Sequence, residues 1–274
     1  MDEMKAFAAC LRTEEKSEAT VKKYLRDVEG FLVFAAGRPL SKQLVLAYKQ
    51  WLLEREYRPA SINSMLASVN AWLRFTGREE LRVRQLKLQR TIYCDMEKEL
   101  TREEYAALVC TARAQNDERM AMILQTICAT GIRVSELEFV TVEAVEKGYA
   151  TVNCKGKLRK IFLVSELCQQ LRRYLRRTDI REGPIFLCGT GAPMLRGDIW
   201  RRMKRLCLRA GVDPQKVYPH NLRHLFAREY YEGEHDLAKL ADILGHSSIN
   251  TTRIYIQSTG TEHRRQLEKM HLVL

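Results

Sequence analysis

The residues best suited to chemistry crowd into the last quarter of the chain: Tyr218-Pro-His-Asn-Leu-Arg-His224, then Leu244-Gly-His246 and, nine residues further on, Tyr255. Histidine, arginine and tyrosine in this combination suit chemistry on a phosphate. A phosphodiester under attack spreads negative charge over its nonbridging oxygens, and guanidinium groups grip such oxygens with paired, charge-assisted hydrogen bonds. Arg133 and Arg223 fit that role. A tyrosine hydroxyl can attack phosphorus and conserve the bond as a covalent phosphotyrosine, which a second hydroxyl later reverses. The leaving oxygen needs a proton, a contribution worth about 10² to 10⁴ in rate, and a lysine on a basic hairpin is a reasonable donor.

These groups can meet only if the elements carrying them are broken in the right places. His220, Arg223 and His224 are three and four residues apart and share one helical face. His246 and Tyr255 cannot share a face of one continuous helix, because nine residues at about 100° each point them in opposite directions. Gly245 supplies the break, and Ser247 or Ser248 can cap a new helix with Tyr255 at its far end. Upstream, the apolar helix of Met120, Ile123, Leu124, Ile127 and Cys128 stops at Gly131, just before Ile132-Arg133-Val-Ser-Glu136-Leu137. Short β-type runs at 149–153 and 159–164 join through Lys155-Gly156-Lys157, which predicts a hairpin with a cationic tip. Further helices are expected at about 166–177, 196–210, 220–231, 237–244 and 248–255, followed by a tail at 261–271.

The first 78 residues read as a helical bundle. Val21, Tyr24, Leu25, Val28, Phe31, Leu32 and Ala35 form one stripe with Ser17 or Thr20 as cap. Ser41 can cap a second helix carrying Val45, Tyr48, Trp51 and Leu52, and a third runs from Pro59 through Ile62, Leu66, Val69 and Trp72. Lys22, Lys23, Arg26, Arg58 and Arg74 lie off these stripes, where they can meet a phosphate backbone or simply face water. From Arg78 to Glu99 the periodicity fades into charge, the pattern of an extended basic linker. Thr101-Arg-Glu-Glu104 then has the capping-box form that opens a new helix and a second domain. The 274 residues carry a formal charge of +12, which favours a polyanionic partner such as nucleic acid. Eight cysteines without a C-x-x-C pair read as reduced thiols of a cytoplasmic protein. No apolar run approaches the roughly eighteen residues of a membrane span.

Four segments in order resemble the tyrosine recombinase, or lambda-integrase, family. Ala-Thr-Gly-Ile-Arg-Val-Ser-Glu-Leu matches its first arginine motif, Cys154 to Lys160 its lysine hairpin, Pro-His-Asn-Leu-Arg-His its second arginine box, and Leu-Gly-His-Ser-Ser-Ile-Asn-Thr-Thr-Arg-Ile-Tyr its last motif. The resemblance implies a mainly α, two-domain architecture: a SAM-like helical core-binding domain over 1–78, a linker over 79–99, and over 100–274 a mixed α/β catalytic domain with a small antiparallel hairpin and an oligomerisation tail. It implies Arg133, Lys155, His220, Arg223 and His246 as catalytic residues, Tyr255 as nucleophile, Glu136 and His224 in support, and Lys157 among the DNA contacts. It also implies double-stranded DNA as partner, gripped as by a clamp, four protomers on two DNA sites, a 3′-phosphotyrosine and a Holliday junction, without metal, ATP or other cofactor. A His220/His224 zinc site is the metal alternative; a type IB topoisomerase and a non-catalytic DNA-binding regulator are the functional ones. The absence of an arm-binding segment before the core-binding region resembles the compact Xer-type resolvases and DNA invertases.

Overall fold

The computed structural model describes residues 2–88, 96–154, 157–246, 248–256 and 268–269. Lys155, the side chain of Lys157, Ser247, the linker residues 89–95 and almost all of the expected C-terminal tail lie outside them. The chain divides into two compact units, 1–90 and 91–274.

The first unit is built from α1 (Asp2–Thr13), α2 (Glu18–Ala35), α3 (Lys42–Glu54) and α4 (Pro59–Phe75). Ser17 and Ser41 cap α2 and α3, their hydroxyls accepting from the N–H groups of Thr20 and Leu44. Pro59 sits in the first turn of α4, where its missing N–H costs nothing. The expected stripes converge in one core holding Val21, Val28, Phe31, Val45, Tyr48, Ile62, Leu66, Val69 and Trp72. Helix α1 adds Phe7, Ala8 and Leu11 to that core. Met4, Phe7, Ala8 and Leu11 recur at helical spacing, a signal present in the sequence.

Residues 79–88, expected as the start of the linker, are docked on this unit. Asn63 and Asn70 are two helical turns apart on α4 and face the same way. The Asn70 amide donates to the Val83 carbonyl at 2.9 Å and accepts from its N–H at 3.1 Å; Asn63 does the same for Leu86, at 2.9 and 2.7 Å. Each asparagine thus imitates a neighbouring strand, and Val83 is buried beneath.

Among the basic candidates of this unit, Lys22, Arg26, Arg58 and Arg74 are exposed. Lys23 is only partly exposed and is engaged within the unit: its ammonium lies 2.8 Å from the buried Asp27 carboxylate and donates to the Ser68 hydroxyl and the Ser64 carbonyl. Arg26 reaches the other oxygen of that carboxylate at 3.1 Å from the solvent side, so without Lys23 the buried Asp27 keeps one exposed cation and loses the nearer one. Lys23→Met is therefore expected to lower the unfolding free energy by about 1 to 2 kcal/mol, less than for a fully buried pair because Lys23 is partly open to water and Arg26 still faces Asp27. Urea titration checks this; unchanged stability with weakened DNA binding would return Lys23 to the phosphate-contact role.

In the second unit α5 (Arg102–Ala114) begins with a complete capping box between Thr101 and Glu104. It packs on α6 (Glu118–Thr130), which is buried almost all round through Met120, Ala121, Met122, Ile123, Leu124 and Ile127. A 3-10 turn (Val134–Phe139) and α7 (Val142–Lys147) lead into β1 (Tyr149–Cys154) and β2 (Lys157–Phe162). The two strands form an antiparallel hairpin that pairs Tyr149 with Phe162 and Val152 with Arg159. Then come α8 (Ser165–Thr178), α9 (Arg196–Ala210), α10 (Pro219–Glu234), α11 (Leu237–Leu244), α12 (Ile249–Arg253) and a closing 3-10 turn (Ile254–Ile256). Helix α6 contacts α5, α8, α9 and α10, so α10, which bears His220, Arg223 and His224, is hung on a buried rod whose own end leads into Arg133.

Candidate active site

Helix α6 ends at Gly131, in the left-handed conformation at φ +63°. A Cβ there would lie 2.4 Å from a ring carbon of Phe226 on α10 and 2.9 Å from Leu244 on α11. Only glycine lets the three helices meet this closely. Two residues on, Arg133 opens the 3-10 turn and Glu136 closes back onto it. The Glu136 carboxylate accepts from the Arg133 backbone N–H and from its guanidinium, both at 2.9 Å. Glu136 is 3% exposed, whereas a third of the Arg133 side chain remains open. The other nitrogen of that guanidinium lies 3.4 Å from the Gly245 carbonyl, next to His246.

Arg223, on the inner face of α10, is 1% exposed. Its guanidinium donates to the Gly131 carbonyl, to the Leu244 carbonyl at 2.7 Å and to His246 Nε2 at 2.9 Å. Burial, followed by the charge of Arg133, brings its pKa down to about 10, which still leaves it a cation at neutral pH. Because a guanidinium can only donate, His246 Nε2 must accept, so the ring proton sits on Nδ1 and is given to the Thr252 hydroxyl at 2.8 Å. Burial and then the charges of Arg223, Arg133 and Arg159 hold His246 down at about 4. His220 is also pushed to about 4, by burial first and then by His224, Arg223 and Arg133. Both imidazoles are neutral at pH 7, first because they are buried and then because cations surround them.

Tyr255 arrives on the 3-10 turn after α12 and is 6% exposed. Its hydroxyl lies 3.3 Å from His220 Nε2, and its ring lies 5.4, 4.3 and 5.3 Å from the rings of His220, His224 and His246. Thus Arg133, Glu136, His220, Arg223, His224, His246 and Tyr255 are brought together, with the break at Gly245 (φ +64°) that their spacing requires. Ser248 occupies the cap position of α12 without a side-chain cap bond. The basic candidates Lys22, Lys23, Arg26, Arg58 and Arg74 belong to the other unit.

Two members of this cluster were not anticipated. Arg159 on β2 donates to Glu136 at 2.6 Å and to the Leu244 carbonyl. In the structure 159, 161 and 163 face inward and 158, 160 and 162 are exposed, but Leu158 and Phe162 make the two faces equally apolar in the sequence, so the direction of Arg159 was not marked there. Glu99 lies 3.4 Å from His224 Nδ1 and 3.7 Å from Arg228. Burial works to raise its pKa, but the His224 hydrogen bond and the charges of His224, Arg228 and His220 outweigh that and hold it low. Glu99 stands in a run of alternating charges, where nothing marks one carboxylate above its neighbours. Among the described residues no three His, Cys, Asp or Glu side chains gather as a metal site requires.

Residues 98–262 match the model of the phage integrase family. Tyrosine recombinase XerA of Pyrococcus furiosus is 30% identical, over 98% of this chain and 94% of its own length. Tyrosine recombinase XerD of Vibrio cholerae is 29% identical, over 93% of this chain and 90% of its own. A crystal structure of a lambda integrase tetramer bound to a Holliday junction superposes with a TM-score of 0.74 at 17% identity, covering 93% of this chain and 76% of that one. The chain belongs to the phage integrase family. It is a tyrosine recombinase, an enzyme that breaks and rejoins DNA strands.

The two depressed histidines make stability depend on pH. In the unfolded chain they titrate near 6.5 and in the fold near 4, so the unfolded state binds more protons between these values. Their contribution is present above pH 6.5 and is lost as pH falls toward 4. His246→Gln is expected to flatten part of this slope, as read from urea midpoints at pH 7 and pH 5; an unchanged slope would count against a buried neutral His246.

Proposed function

We propose that this chain is a site-specific recombinase that opens one DNA strand by attack of Tyr255 on a phosphodiester and reseals it on a new partner strand. The observation that carries the reading is the Tyr255 hydroxyl 3.3 Å from the neutral His220, inside a site rich in guanidinium groups. His220 Nε2 takes the phenolic proton as Tyr255 Oη bonds to phosphorus. Arg133 and Arg223 grip the nonbridging oxygens, and His246, already bonded to Arg223, lies beside them. The bond from phosphorus to the 5′ oxygen breaks, leaving a 3′-phosphotyrosine, and Lys155 of the hairpin supplies the proton to that oxygen. A 5′ hydroxyl of the partner strand then attacks the ester and releases Tyr255. The ester conserves the energy of the broken bond, so rejoining needs no ATP.

Exposed Lys22, Arg26, Arg58 and Arg74, together with Lys157, supply phosphate contacts, and binding of duplex DNA weakens steeply with salt. Four protomers act on two DNA sites through a Holliday junction, in the cytoplasm. What supports assembly and place is the kinship with Xer recombinases, the lambda integrase tetramer that this fold resembles, and the lack, among the described residues, of a helix able to cross a membrane.

Nicked suicide duplexes tiled across the DNA around the chain's own gene test the chemistry. They are expected to trap a denaturation-resistant protein–DNA adduct that disappears in Tyr255→Phe and forms about 10² to 10³ times more slowly in Arg133→Ala. An adduct that persists in Tyr255→Phe would move the nucleophile elsewhere.

A further inference from the structure

The two arginines assigned to the phosphate do not touch each other; a third guanidinium joins their supports. Arg159 faces inward from β2 and is 13% exposed. One of its nitrogens donates to Glu136 Oε2 at 2.6 Å, while the other oxygen of that carboxylate holds Arg133. Its second terminal nitrogen donates to the Leu244 carbonyl, the same oxygen that accepts from Arg223 at 2.7 Å. The side chain also lies against Gly245: a Cβ there would come within 2.7 Å of Arg159 Cδ and closer still to its guanidinium. One residue thus shares an acceptor with each arginine and packs under the turn that delivers His246.

We propose that Arg159 is a positioning residue that sets Arg133 and Arg223 as one unit around the scissile phosphate. This rests on the reading of those two arginines as the clamp. A lysine cannot replace it, because a single ammonium has no planar fork to span the Glu136 carboxylate and the Leu244 carbonyl at once. With Arg159 removed, Glu136 is free to rotate around Arg133 and the Leu244 carbonyl loses one of its two guanidinium donors. A displacement of about 1 Å at such a site costs about 10²-fold in rate.

The test compares two substrates in single-turnover adduct formation: a normal suicide duplex, and one whose scissile phosphate carries a methyl group in place of a nonbridging oxygen and is therefore neutral. A neutral phosphonate develops less charge for guanidinium groups to stabilise, so a defect that acts through the clamp shrinks on it. Arg159→Gln is expected to slow the normal substrate about 10²-fold with DNA affinity changed by less than about threefold, and to slow the phosphonate less than about tenfold. Arg159→Lys, which keeps the buried charge and hence the fold, is expected to show the same selectivity with a smaller loss. Equal slowing on both substrates, no slowing, or collapse of the fold in both variants would overturn the assignment. Arg133→Ala is the control. If its loss shrinks on the phosphonate and that of Arg159→Gln does not, the positioning role fails while the clamp stands. If only Arg159→Gln is selective, Arg159 meets the phosphate itself and the positioning role fails together with the assignment of Arg133. If neither is selective, the clamp reading falls and takes the inference with it.

Discussion

Everything in the catalytic unit depends on how a fully buried arginine is kept charged. Removing a guanidinium from water costs several kcal/mol unless its hydrogen bonds are replaced. For Arg223 the replacements are carbonyls at the ends of helices: Gly131 just past α6 and Leu244 at the end of α11. These are orphan acceptors at the negative ends of two helix dipoles, so each satisfies the arginine as the arginine satisfies it. Arg133 leans on the neighbouring carbonyl of Gly245 in the same way. The consequence is electrostatic. Carbonyls hold the arginines in place without cancelling their charge, and the Glu136 carboxylate is shared between Arg133 and Arg159. The site keeps a positive surplus, which the two neutral histidines register and an incoming phosphate can use.

The same geometry explains why glycine stands at 131 and 245. At both, positive φ coincides with a neighbour so close that a methyl group would collide with it: Phe226 and Leu244 in the first case, Arg159 in the second. The helix ends must approach the guanidiniums directly, and side chains at these turns would hold them apart. Conformational freedom and close approach are thus demanded by one requirement, the delivery of backbone carbonyls to buried cations.

Much of this was legible from residue order. Helical spacing put His220, Arg223 and His224 on one face, the opposed directions of His246 and Tyr255 demanded a break, and the hairpin around residue 155 followed from its β-type runs. Local rules suffice for such features because each depends on neighbours in sequence. What escaped depends on partners far away. Lys23 looks like any surface lysine until Asp27 and Ser68 are seen beneath it. Asn63 and Asn70 carry no apolar signal, yet they hold a stretch whose charge suggested a free tether. Glu99 acquires its place only from His224 and Arg228, over a hundred residues on. Helix α7 is only six residues long, so packing rather than pattern decides it. Arg159 escaped too, since Leu158 and Phe162 make the opposite strand face as apolar as its own, which it shares with Ile161 and Leu163.

The support of Tyr255 contrasts with that of the arginines. The arginines hang from α6 and α10, deep in the main core, whereas Tyr255 follows a five-residue helix whose Ser248 cap makes no side-chain bond. That segment is held chiefly by burial of Thr252 and Tyr255 and by the hydroxyl of Thr252 on His246. An element this small opens at a fraction of the free energy of global unfolding, so amide exchange along it should be far faster than along α6. In the proposed mechanism this makes Tyr255 the member of the cluster that can move while Arg133 and Arg223 stay in place. For a reaction in which a tyrosine must carry a DNA end while strands change partners, that separation of a stiff receptor from a loosely tethered donor is a mechanical asset.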